Sequence, residues 1–407
     1  MMKGQLATYR RYASFIKRLL FYSGLWPVEN KKSSYFYRHI PILAIVYAAL
    51  LFYGCVRFCK DNLDDVKAFT KGLSPLGSMV VVIIKVLMFF LYQEEIRELH
   101  LNLESIFEEV IEKTYCRPVL FEMLNIFKRP AYIFYYLTII TVIMLTCMPL
   151  LLIVYEAIKN INPRHYILPY PATFPWIDGS FGIKYELQYL HEIQVGWFII
   201  FVTSGVDTAY GFYIFQMVGI LRFMSLECEK IGKSSDELDI ILLRNCIEKE
   251  ILLLRCRDII QNVYGPVVLN LIVSSVVVLC GLIFQVLQVQ EISVGKAVVT
   301  IFYGIVKMSQ AFMYSWYGSI LVTESEAFKR NVYCSKWYQY QKIQLMKSVL
   351  LILAQKPIVL TACHFFYISL DLFVKVNNYT HCIIYQISLY YYFCSFINPV
   401  PVFFFRY

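Results

Sequence analysis

A chain of 407 residues with 58% hydrophobic, 17% aromatic and only 16% charged residues falls outside the range of ordinary soluble domains, where charged residues make up nearer a quarter. Its mean hydropathy of +0.56 indicates a polytopic membrane protein. The net charge of +9 does not form one basic patch, which argues against a nucleic-acid partner; the basic residues flank apolar runs, where they set orientation during insertion. The 38 residues ahead of the first run are basic and long and lack an A-x-A site, so no cleavable signal is read there and the first span serves as its own targeting signal.

Apolar runs of about 20 residues predict seven transmembrane helices. They lie near His39–Phe58, Gly72–Tyr92, Ala131–Tyr155, Ile193–Ile220, Val263–Gln288 and Gly295–Val322, with a last span beginning between Ile358 and Ile368. Lys and Arg number eight in the N-terminal segment and five, seven and six in the second, fourth and sixth connections, against three each in the first and third. That asymmetry predicts a cytoplasmic N-terminus and, with seven spans, an extracellular C-terminus. The fold class expected is therefore all-α and polytopic, inverted relative to a G-protein-coupled receptor.

Three connections carry further pattern. In the third, Glu156–Glu192, Pro163, Pro169, Pro171 and Pro175 alternate with Tyr170, Phe174 and Trp176, which predicts a stiff aromatic lid with little helix potential. The fourth repeats Ile240, Leu243, Ile247, Ile251 and Leu254 at spacings of three and four, a stripe that needs a partner in water. A second amphipathic pattern, Ile343, Met346, Leu350 and Leu353, follows Trp337 and is interrupted by Gln341, Gln344, Lys347 and Gln355 before Pro357 breaks it. The two stripes suit one another as a cytoplasmic helical anchor.

Enzyme chemistry is not legible. The six histidines form no His-x-x-x-His pair, and no phosphate loop, GxGxxG or nucleophile elbow occurs, so neither catalysis nor a cofactor is expected. Most of the twelve cysteines lie in spans or on the cytoplasmic side, and the long third connection has none, which leaves no disulfide to tether it. Charges inside spans are costly and informative. Lys85 and Asp207 each fall about 20 Å below the outer end of their span, which places them at a depth where they can pair, and Lys307 is a third such charge with no assigned partner. Apolar and aromatic side chains in the outer halves of four spans, Met79 and Ile83, Ile143 and Cys147, Trp197 and Phe201, and Phe302, Tyr303 and Val306, suit a small hydrophobic ligand, although each is also an ordinary packing residue.

Four stretches carry a resemblance: LPYPATFPW at 168–176, CIEKEILLLRCRDIIQNVYGPVVL at 246–269, VYCSKWYQ at 332–339 and QKPIVLTACHFFYISLDLF at 355–373. The chain resembles the insect odorant receptor family, from its basic N-terminus to about Val376. The resemblance implies an odorant-binding variable subunit of a tetrameric ligand-gated cation channel in the plasma membrane of sensory neurons. It implies an odorant co-receptor as partner, small volatile ligands, and a pocket between the second, third, fourth and sixth spans. A gustatory receptor channel of the same superfamily shares this topology; a G-protein-coupled receptor has the wrong orientation.

Residues 1–376 thus read as one receptor domain and 377–407 as an atypical tail. Of the 31 tail residues, 18 are Phe, Tyr, Ile or Asn, and none is Gly, Ala, Asp or Glu. This bias, together with Asn377, Asn378, Tyr379, Thr380 and His381 at a position that should be apolar, suggests a retained intron or a wrong gene model in place of a conventional last exon.

Overall fold

The computed structural model describes residues 2–27, 35–113, 115–160, 166–177, 182–231, 236–287, 294–339, 343–380, 382 and 385. Its helices are α1 (Met2–Tyr22), α2 (Tyr35–Asp61), α3 (Val66–Leu91), α4 (Gln93–Glu112), α5 (Arg117–Ile158), α6 (Ile183–Cys228), α7 (Asp236–Leu287), α8 (Val294–Cys334) and α9 (Ile343–Ala354). A further helix, α10, runs over 370–380. Among the described residues, α2, α3, α5, α6, α7 and α8 are long and apolar enough to cross a membrane. Helix α10 falls within the expected seventh span, but its described residues are fewer than the roughly 20 a crossing needs, and the tail from 386 onward lies outside the described residues. The first four tail residues, 377–380, continue α10 without a break, and Thr380 Oγ1 donates to the Val376 carbonyl at 2.8 Å.

Helix α6 is the hub. Every residue from Val202 to Leu221 is buried, because α1, α3, α4, α5, α7 and α8 all pack around it. A helix that is apolar on all sides has no solvent-seeking face, so complete enclosure is its stable placement. The N-terminal segment contributes to that enclosure: α1 buries Tyr12, Ile16, Leu19 and Leu20 and runs antiparallel to α6, with Tyr9 accepting from Gln216 Nε2 at 3.2 Å.

Four helices exceed the membrane. At about 1.5 Å per residue, the 52 residues of α7 reach about 78 Å, more than twice a hydrocarbon core of about 30 Å. The surplus of α5, α7 and α8 joins α4 and α9 in a bundle at the end away from the 166–177 segment. The two amphipathic patterns do meet there, since α7 packs on α9, but each is rotated from the expected face. On α7 the buried set is Leu243, Cys246, Glu250, Leu253 and Cys256, whereas Ile251 is exposed. On α9 Leu345, Val349 and Ile352 are buried, with Met346 and Leu353 half-buried and Ile343 and Leu350 exposed. Cysteine and a buried glutamate count as gaps in a hydrophobic pattern, and surplus aliphatic residues beside the true face displaced the reading.

The largest departure lies between α9 and α10. Residues 358–369 were expected to open the last span; instead they form a hairpin, with Thr361 opposite Tyr367 and Ala362 opposite Phe366. Cys363 and His364 turn it with φ of 49° and 62°. The hairpin docks on α7 and α8. Gln261 donates to Thr361 Oγ1 at 2.5 Å, the Ile358 amide donates to Ser325 Oγ at 2.9 Å, and the Leu370 amide donates to Ser319 Oγ at 2.8 Å. Two glycines admit it: a Cβ on Gly265 would stand 3.2 Å from the Cys363 nitrogen, and one on Gly318 would overlap the Ile368 carbonyl. These contacts give the QKPIVLTACHFFYISLDLF stretch a structural meaning.

Candidate functional site

The prolines of 166–177 prevent helix formation and lay the segment across the end of the bundle as a lid. The third connection is not wholly irregular, however: its last ten residues already belong to α6, which begins at Ile183. Tyr170 and Phe174 point inward and are buried. They pack with Leu51 and Cys55 of α2, Met79 of α3 and Val195 of α6 in an apolar cluster separate from the main core. Several polar contacts fasten the lid, among them the Tyr185 hydroxyl, which donates to the Ile167 carbonyl at 3.0 Å. The Tyr170 amide donates to Glu192 Oε2 at 3.0 Å, Gln188 steadies the other oxygen of that buried carboxylate at 3.1 Å, and the Thr173 amide donates to the Gly54 carbonyl at 3.0 Å.

Below the lid runs a polar column. Tyr303, Lys307, Gln310 and Tyr314 follow one another on a single stripe of α8 at spacings of four, three and four. Tyr303 is the upper member: its hydroxyl bonds with the Ser78 hydroxyl and donates to the Ser74 carbonyl at 3.1 Å. Asp207 of α6 forms the centre. Lys85 Nζ lies 2.6 Å from its Oδ1, Tyr314 donates to the same oxygen at 2.6 Å, and Gln310 donates to Oδ2 at 2.5 Å. Lys85, Asp207 and Lys307 are all buried. Burying ions at this depth is tolerable only with such pairing and hydrogen bonding. Lys307 holds its Nζ 5.9 Å from the centroid of the Tyr303 ring, a cation–π distance.

The structure brings Met79, Tyr303, Val306, Lys85, Asp207 and Lys307 toward this interior and leaves Ile83 and Phe302 half-buried at its flanks. The remaining expected pocket residues do not join it. Ile143 is 49% and Trp197 56% exposed, and Cys147 is exposed. Phe201 stacks on Trp197 and contacts Tyr22 of α1 instead. Because α6 is apolar around its whole circumference, its inward face could not be assigned from periodicity. Sequence reasoning also missed Ser78, Glu192, Gln310 and Tyr314. The recurrence of polar residues at Lys307, Gln310 and Tyr314 on one α8 face was the available signal for the last two. A separate groove of about 560 Å³ flanks the lid between α2 and α6, with Tyr47, Leu50, Trp176, Leu187 and His191 among its lining residues.

Among the described residues no group of three or more His, Cys, Asp or Glu is arranged to hold a metal ion. Beneath the lid the side chains form a packed apolar cluster bordered by very few polar groups, the kind of lining that suits a small hydrophobic molecule.

Comparison with known proteins gives this geometry a context. A family model described as 7tm Odorant receptor matches residues 65–381. Odorant receptor 13a of Drosophila melanogaster is 22% identical over 226 residues, which is 51% of this chain and 54% of that protein. The odorant receptor coreceptor of Anopheles gambiae is 26% identical over 131 residues, 32% of this chain and 27% of that one. The chain thus spans about half the length, or less, of these curated relatives. The structure of insect olfactory receptor OR5 from Machilis hrabei, also solved in complex with eugenol, superposes with a TM-score of 0.78 over 93% of this chain and 98% of that chain, at 16% identity. That likeness establishes the fold, a polytopic helical membrane protein. With the family model matching well over half of its residues, the chain belongs to the 7tm odorant receptor family.

Proposed function

We propose that the chain is the odorant-binding subunit of a heteromeric ligand-gated cation channel in the plasma membrane of olfactory sensory neurons. The observation that carries this reading is the apolar cluster under the lid, where Met79, Cys55, Tyr170 and Phe174 pack together above the polar column of α8. An enclosed apolar site with few oriented polar groups suits small volatile molecules. The Lys and Arg asymmetry supports a cytoplasmic N-terminus, which puts the lid outside and the α4–α7–α9 bundle inside. The exposed Ile343, Leu350 and Leu351 on α9 and Ile251 on α7 supply apolar surface for a neighbouring subunit. An odorant co-receptor is the partner this reading requires, and the coreceptor of Anopheles gambiae is among the relatives.

Co-expression with an odorant co-receptor tests the proposal. Odorants should evoke cation current only when both chains are present, and Tyr303→Phe should shift the dose–response while Trp197→Ala leaves it in place. Current that needs a G protein and no co-receptor would overturn the reading.

A further inference from the structure

The polar column holds two lysines and one carboxylate. Lys85 and Asp207 neutralise one another at 2.6 Å, and the remaining hydrogen bonds of that carboxylate go to the neutral Gln310 and Tyr314. Lys307 is left over. It is only 6% exposed, the charged groups it senses are Lys85 and Asp207, and among the described residues it forms no ion pair of its own. Two lysines therefore face one carboxylate at a depth where a cation without a partner is costly.

The surroundings of Lys307 favour one way of completing the set. One helical turn toward the lid stands Tyr303, whose electrostatic neighbours are Tyr170 of the lid and Cys55 of α2. Val306 beside it is buried. The side chains between Lys307 and the lid are thus apolar and aromatic. An inorganic anion would satisfy Lys307 and leave that wall unused, whereas a carboxylate with a short hydrocarbon tail fits both.

We infer that Lys307 anchors the carboxylate of the ligand, and that this subunit takes small monocarboxylic acids whose apolar tail lies toward Met79 and Phe174. The inference rests on the proposed odorant site and deepens it. Bound acid brings the column to two cations and two anions, so binding needs no net charge to remain buried.

Direct binding tests it without requiring a current. Labelled hexanoate is measured on membranes from cells expressing the full chain with a co-receptor, and membranes holding the co-receptor alone give the background. Hexanoate should compete at least about tenfold better than hexan-1-ol or methyl hexanoate, as expected when a hydrogen bond to a charged group replaces a neutral one. Lys307→Met should abolish that preference and retain hexan-1-ol binding, while Lys307→Arg should keep it. If Lys307→Met does not reach the membrane, Lys307→Gln reports the same preference. Hexadecanoate competing as well as hexanoate would keep the carboxylate site and assign it to a membrane fatty acid. Equal binding of hexanoate and hexan-1-ol, an unchanged preference in the Met and Gln variants, or displacement of hexanoate by millimolar chloride would overturn the inference. Acid binding without any gating would count against the channel reading alone.

Discussion

Lys85 of α3 and Asp207 of α6 meet at 2.6 Å with both side chains sealed from solvent. The pair joins a peripheral helix to the hub helix, and Gln310 and Tyr314 extend the joint to α8. Breaking a buried pair from one side strands the other charge, at a cost of about 3–5 kcal/mol. Lys85→Met and Asp207→Asn should therefore each lower the melting temperature of the detergent-solubilised protein and its surface level. The double variant should lose much less than the two losses added together. Additive losses in a double-mutant cycle would show that the two groups do not interact.

Gly318 touches backbone. Its missing Cβ is what leaves room for the Ile368 carbonyl, and no rotamer change relieves a clash with main chain. Gly318→Ala should cost about 1–3 kcal/mol or more through overpacking, read as a lower melting temperature. Gly182, with open space around the Cβ position, is the control, and Gly182→Ala should leave stability near the wild-type value.

One carboxylate, that of Glu192, holds the lid at Tyr170. Glu192→Ala removes the acceptor of the Tyr170 amide and of Gln188, leaving a buried donor unpaired. The lid should open more often while the transmembrane helices stay folded. Maleimide modification of buried Cys55, followed by peptide mapping, should become several-fold faster in the variant. An unchanged rate would place the lid's fastening in the Thr173–Gly54 contact instead.

On α7, Leu243 is fully buried and Ile251 is 62% exposed. Leu243→Ala should destabilise the anchor bundle by about 2–5 kcal/mol. Ile251→Ala should stay within about 0.5 kcal/mol for an isolated chain. If the exposed face is a subunit contact, the same Ile251 change should weaken assembly, visible as a smaller complex on size-exclusion chromatography.

These four sites show where the sequence was readable. Helix rise alone put Lys85 and Asp207 at one depth, because depth along a helix depends only on residue count. Rotation about the axis is harder. Trp197 and Phe201 sit on a helix whose apolar residues surround it, so periodicity singles out no face there, and on α7 the stripe's Leu243 is buried and Ile240, Ile247 and Leu254 pack on the core while Ile251 turns outward. The hairpin was hidden for a different reason. Its strands are two residues each, and an apolar run that follows an amphipathic segment and a proline reads equally well as the start of a span. Gln310 and Tyr314 were overlooked because polar groups within an apolar run carry meaning only once their partner is located.

The hairpin at 358–369 also imposes an order on assembly. Its receptors, Gln261 and Gly265 on α7 and Gly318, Ser319 and Ser325 on α8, are synthesised before it, and none of these contacts can form until both helices stand side by side at the right height. A ribosome delivers the hairpin only after those helices have left the exit tunnel, so its docking inspects work already done. A chain with α7 and α8 out of register presents a slot that the hairpin cannot enter, with serine hydroxyls lacking the amides they should receive. The cell's quality control can read that defect before the subunit leaves the endoplasmic reticulum.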